Sequence, residues 1–264
     1  MMLPNSLFKV MKYSILVLFT LLLSQPVLAD TVNANGKVTV KDSGITEPYD
    51  PENPLDPVDP NKPSKPAKGS LRIDFVSDLD FGKVKIDEKN RQFNAKAQLF
   101  KGKTAARGQY IQLTDVREES SGWTLMMEQK KQFVTDDNNE LTGAVLSYDN
   151  AWANASHMTD DIKPDVTRGT LSLIPGESVI VAQAEKNKGW GVWTIEFGGS
   201  IGNGYAQKET LYPLEDDNGK PIINTEFNKP DFGNRAVSLK VPSTTQILPK
   251  QYKTEIIWTI AKLP

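Results

Sequence analysis

Gly198-Gly199-Ser200-Ile201-Gly202 carries the Gly-x-Ser-x-Gly spacing of a nucleophile elbow, in which a strained strand-to-helix turn lifts a serine hydroxyl toward a substrate carbonyl. That chemistry needs an acid and then a histidine base after the serine in the chain. The sole histidine, His157, comes before it, and the residues that follow are rich in Gly and Asn rather than helix-forming, so a hydrolase is not expected. One imidazole is also too few for a zinc hydrolase, and His157, in Trp152-Ala153-Asn154-Ala155-Ser156-His157, reads as a loop residue. A glycosidase needs only two carboxylates at a fixed separation, which is a property of the tertiary structure. Asp136-Asp137-Asn138-Asn139-Glu140 and Glu215-Asp216-Asp217-Asn218 offer oxygen ligands for calcium without the alternate-residue pattern of an EF-hand, and turn chemistry accounts for both. The expectation is a protein that is not an enzyme, with no catalytic residue, no metal and no cofactor.

The elements that would carry any site sit behind a leader. Lys9 and Lys12 precede an apolar run from Tyr13 to Leu23, and Val27-Leu28-Ala29 suits signal peptidase, which places cleavage between Ala29 and Asp30. The apolar run is short of the ~20 helical residues that cross a bilayer, so residues 1–29 are expected to be removed on secretion. Absence of cysteine excludes disulfides and thiolate chemistry, and an exported domain without them must be held by its core. The leader holds two lysines and no acid, so its loss takes the formal charge from −2 to −4. That balance lacks the concentrated basic footprint of a nucleic-acid binder. Lys262-Leu263-Pro264 follows an alternating apolar run with no hydrophobic tail, so no covalent or membrane anchor is expected, and retention would rest on non-covalent contacts.

Residues 30–69 are read as an N-terminal segment and spacer. Proline recurs at 48, 51, 54, 57, 60, 63 and 66, a period of three that matches polyproline II. At ~3.1 Å per residue such an extended linker would reach roughly 60 Å and pack into no core. Its acids, Glu47, Asp50, Glu52, Asp56 and Asp59, come first, and Lys62, Lys65 and Lys68 follow.

Over residues 70–264 short alternating runs separated by Gly, Asn and Asp predict strands at 71–76, 109–116, 123–129, 144–147, 170–174, 178–184, 192–197, 236–241 and 254–261. The expected fold class is all-β, a sandwich or partly closed barrel of about 9–11 strands, with residues 198–233 as a Gly/Pro-rich excursion from the sheet. Three of the five tryptophans sit in one short context: Trp123-Thr124-Leu125, Trp193-Thr194-Ile195 and Trp258-Thr259-Ile260. Alternation points Trp123, Leu125 and Met127 one way, likewise Trp193, Ile195 and Phe197, and Ile256, Trp258 and Ile260. The threonines between them are expected on a solvated face. By residue chemistry these units are core strands, or else platforms for sugar rings or a partner; Trp152, Trp190, Tyr205 and Tyr212 are the candidates for exposed aromatic contact.

The ordered segments SLRIDFVSDLDFG, QLTDVREESSGWTLMMEQKKQF, ELTGAVLSY, GTLSLIPGESVIVAQAEKNKGWGVWTIEFG and AVSLKVPSTTQILPKQYKTEIIWTIAKLP resemble a WxL-domain protein, a cell-surface family of Gram-positive bacteria, in its small single-domain form. The naming motifs fall on Trp123-Leu125 and Trp258-Ile260, the second with a volume-conserving isoleucine in place of leucine. The resemblance implies secretion, a surface location and non-covalent attachment to the cell wall, with peptidoglycan as the ligand. It also implies partners: other WxL proteins, a membrane-anchored WxL-interacting protein and host extracellular matrix. An assembly or adhesion subunit that binds such a partner, and not peptidoglycan itself, is the alternative.

Overall fold

β-branched and aromatic residues alternating with polar ones, interrupted by turn formers, give strands throughout and no helix among the described residues. The structure is a computed structural model that describes residues 38, 44, 46–61, 67–84, 91–119, 121–157, 159 and 161–263. The chain divides into Met1–Lys41, where Val38 alone is described, and Asp42–Pro264. The expected leader, its Ala29–Asp30 cleavage point, Pro63 and Pro66 lie outside the described residues.

Within the second unit the strands run β1 (Tyr49–Asp50), β2 (Asn53–Pro57), β3 (Leu71–Val76), β4 (Gln92–Lys96), β5 (Gln109–Asp115), β6 (Trp123–Gln129), β7 (Val145–Tyr148), β8 (Ala151–Asn154), β9 (Asp165–Val166), β10 (Leu171–Leu173), β11 (Ser178–Ala184), β12 (Gly191–Phe197), β13 (Leu211–Pro213), β14 (Ile223–Asn224), β15 (Lys229–Pro230), β16 (Phe232–Lys240) and β17 (Ile256–Lys262). Three larger sheets result, in the orders β10-β7-β16-β13 with β4 also on β16, β17-β6-β11-β9, and β3-β5-β12-β8. All pairings are antiparallel and none of the sheets closes on itself, which gives sandwich packing rather than a barrel. Each of the nine expected strands is present, with ends shifted by a few residues.

The inward faces meet in one cluster: Trp123, Leu125 and Met127 from β6, Ile111 and Leu113 from β5, Trp193, Ile195 and Phe197 from β12, Leu146 and Tyr148 from β7, and Val237 and Leu239 from β16. Trp258 packs on this cluster from β17, its ring centroid 6.3 Å from those of both Tyr148 and Phe197. The three repeated units therefore serve one core, and truncating a fully buried indole there costs about 3–5 kcal/mol.

Two expectations are corrected. Residues 198–233 are no excursion: β13 joins the five-stranded sheet against β16, β14 and β15 form a ribbon, and Leu211 packs with Ala97, Leu99 and Ala106. More consequentially, the proline-rich stretch is not an extended strut over its described part. Residues 48–57 fold into the β1–β2 hairpin and lie as a strap across the outer face of the β3-β5-β12-β8 sheet. Tyr49 N donates to Gln112 Oε1 (2.8 Å), Gln112 Nε2 to Glu47 O (2.9 Å), and Asn154 Nδ2 to Pro51 O (2.8 Å). Val58 packs on Phe75, Phe100 and Tyr110. Proline's missing N–H suits a strap bonded through its carbonyls and side chains.

Because of that roof, β5 is buried on both faces, and Thr194, expected in solvent, is buried beneath Pro51 and Asn154. Thr124 is also buried, accepting from Gln183 Nε2, whereas Thr259 is exposed as expected.

Candidate functional site

Trp190 is, among the described residues, the large aromatic most open to solvent, at 52%. It sits on the tight loop Lys188–Gly191 that leads into β12, and two buried indoles fix that loop from below. Trp123 Nε1 donates to Gly189 O at 2.9 Å, and Trp193 Nε1 donates to Trp190 O at 2.9 Å. Gly189 N closes the loop on Ile162 O at 2.7 Å. Gly189 (φ +68°) and Gly191 (φ +92°) hold backbone conformations that a side chain resists, and at Gly189 an added Cβ would lie 2.6 Å from Trp123 Nε1. Gly191 pairs with Asp115, whose carboxylate holds Arg117 at 2.7–2.8 Å, and Arg117 Nη2 returns to Gly122 O, beside Trp123. The hydrogen bonds and charge of Asp115 raise the Arg117 pKa. The buried indoles thus act from the core: their N–H groups fix the backbone of the loop that carries the exposed Trp190.

The other expected aromatic contacts do not gather round it. Trp152 is corrected from exposed to buried (2%), since its β8 face is covered; Nε1 donates to Gly198 O at 2.7 Å and its ring lies 5.1 Å from that of Tyr205. Tyr205 is 37% exposed and, with Trp152, stands at the opposite end of β12 from Trp190. Tyr212, on β13, lies under the Arg235 guanidinium (4.1 Å to the ring centroid) and accepts from Asn94 Nδ2 at 3.1 Å. Of the motif positions, Trp123, Leu125, Trp193 and Ile195 are fully buried, and Trp258 and Ile260 are partly buried on the core face of β17.

A second polar cluster lies under the strap, and sequence reasoning missed it. Arg107 grips Asp50 through Nε (2.6 Å) and Nη2 (2.7 Å) and reaches Glu52 at 3.2 Å. Glu52 in turn accepts from Ser200 N (2.6 Å) and Ser200 Oγ (2.5 Å), so the serine of the elbow-like sequence fastens the strap. Burial opposes the Arg107 charge, but the hydrogen bonds and charges of Asp50 and Glu52 outweigh it and raise its pKa. Beneath them Glu196 is fully buried. Desolvation, reinforced by the charge of Glu52, pushes its carboxyl well above the usual range against the Gly108 N–H and Arg107. Its Oε2 and the Tyr110 hydroxyl have no hydrogen-bond partner among the described residues. On the neighbouring strand Arg72 and Asp74 form a buried pair at 3.0 Å, shared with Thr114 and with Thr46 of the strap.

The acidic turns are internally engaged. Asp137 pairs with Lys250 and accepts from Thr135, Asp136 pairs with Lys253, and Asp216 accepts from the backbone of Asn218 and Lys220. His157 is exposed in the turn after β8.

A family model described as "WxL domain surface cell wall-binding" matches residues 28–264. No curated protein and no solved structure matches the chain. Nearly the whole sequence is covered by that match, its motif tryptophans build the core, and the chain belongs to the WxL-domain family of surface, cell-wall-binding modules.

Proposed function

We propose that this protein is a non-catalytic module held non-covalently at the cell wall, with peptidoglycan as its direct ligand and Trp190 as the platform on which a sugar ring stacks. The exposed indole on a loop fixed by two buried indole N–H groups carries this reading. A loop whose backbone is already fixed loses little conformational entropy on binding, and a half-exposed indole offers a flat apolar surface to a ligand. The absence of catalysis is supported by Ser200, whose hydroxyl is committed to Glu52, and by the placement of the single histidine in an exposed turn.

The test is sedimentation of the mature protein with protein-free sacculi. The parent should pellet, and Trp190→Ala should shift to the supernatant with an unchanged melting temperature, since the side chain is a surface one. A parent that stays in the supernatant until a partner protein is supplied would sink the peptidoglycan reading. It would favour an assembly or adhesion subunit, for which β17 offers one feature: among the described residues a hydrogen-bonded neighbour, β6, on one side only, with Ile257 exposed.

A further inference from the structure

At the far end of β12 from Trp190, a cleft of about 600 Å³ opens between the loop 99–107, the loop 200–204 and residues 229–232. Its size is that of a small-ligand site. Leu99, Leu211 and Phe232 supply an apolar lining, and Arg107 and Glu52 line it as well. The charge of this cleft is at odds with the rest of an acidic molecule. Its one carboxylate, Glu52, shares Arg107 with Asp50 and is bonded to Ser200. Two further cations line it, Lys103 and Lys229, and neither has a carboxylate partner among the described residues. Lys229 Nζ is drawn in toward Phe100 O (2.6 Å) and Thr104 O (2.7 Å), and desolvation lowers its pKa, the sign of an ammonium short of negative charge. The guanidinium fork that would otherwise take a planar anion is spent on Asp50, so the cleft recognises charge through two ammonium points beside an apolar wall.

The geometry points to this cleft as a binding subsite for a carboxylate-bearing wall fragment with small apolar substituents, its anionic group held by Lys103 and Lys229 and its methyl groups against Leu99, Leu211 and Phe232. The source of the ligand, and with it the choice of a carboxylate as the anion, rests on the wall reading; the preference for an anion beside apolar groups rests on the cleft alone. Glu52 makes the strap one wall of the subsite, so the proline-rich segment shapes recognition directly.

Calorimetric titration of the mature protein with N-acetylmuramyl-L-alanyl-D-isoglutamine tests this. Binding should be detected, should weaken at least about tenfold in Lys103→Met and in Lys229→Met, and should weaken with added salt. Lys103 is exposed, so its variant reads the subsite even if Lys229→Met destabilises the loop. Three results would overturn the inference: no binding by the parent, lysine variants that bind like the parent, or a glycerol phosphate oligomer that binds more tightly than the muramyl peptide. Failure here with sacculi still sedimented removes the subsite and leaves the wall reading standing. Lysine-dependent binding of the muramyl peptide with no sedimentation of sacculi does the reverse.

Discussion

At the scale of single residues, the indole N–H explains why positions 123 and 193 are tryptophan rather than another large apolar residue. Phenylalanine would fill most of the same volume, but Gly189 O and Trp190 O would each lose a donor. Leaving such a carbonyl without its partner costs about 1–3 kcal/mol. Trp123→Phe should therefore lower stability by about that amount in a denaturant melt and open the 188–191 loop to proteolysis, while Trp190→Ala should do neither. Equal protease sensitivity in parent and Trp123→Phe would mean that the indole is only filler. The aromatic ring itself was legible from alternation. The hydrogen bond was not, because the sequence separation between Trp123 and Gly189 is closed only by the pairing of β6 with β11.

At the scale of elements, the proline-rich strap is where local pattern and tertiary outcome part. A threefold proline period specifies an extended backbone, and the described stretch is extended; it does not specify whether that backbone projects into solvent or lies on a sheet. Asp50, Glu52 and Thr46 decide the matter by finding Arg107 just before β5, Ser200 just after β12 and Arg72 on β3. We propose that the folded domain accordingly begins within the strap, not after it. Arg107→Met would leave the Asp50 carboxylate buried without its cation, a loss of about 3–5 kcal/mol, which for a domain of this size lowers the melting temperature by about 6–20 °C. A melt unchanged in Arg107→Met would restore the view of the segment as a detachable spacer. The same roof explains why polar residues at alternate positions of β3, β5 and β12 are buried, among them Thr194, which reads as solvated.

At the scale of the whole molecule, the buried acids give stability a pH dependence. Glu196 keeps its proton in the folded protein at pH values where the unfolded chain has released it, since its folded pKa is raised above 4.5. The unfolded state then binds fewer protons, so stability contributed by this group is complete below 4.5 and declines as pH rises toward the folded pKa, by about 1.4 kcal/mol per pH unit of that window. Glu196→Gln fixes the neutral form and should flatten this decline, gaining on the parent as pH rises toward neutrality. Asp74, raised by burial, acts in the same direction and is untouched by the substitution. Parallel stability–pH curves for the two proteins would show that Glu196 ionises inside the fold without cost.

Sequence alone determined the all-β class, the nine principal strands and the shared face of the tryptophan and aliphatic residue in each repeated unit, because each depends on period-two patterning and turn chemistry that are local to the chain; that this face is the core was decided by the tertiary structure. The sequence also carried the five ordered segments by which the family is recognised. Only the tertiary structure decided that the strap roofs one sheet, that Trp152 is covered while Trp190 is bare, that Ser200 binds Glu52, and that Lys103 and Lys229 share a cleft. Burial and charge pairing are sums over groups distant in the chain, and a residue's neighbours across a sandwich are set by strand order, which no local pattern encodes.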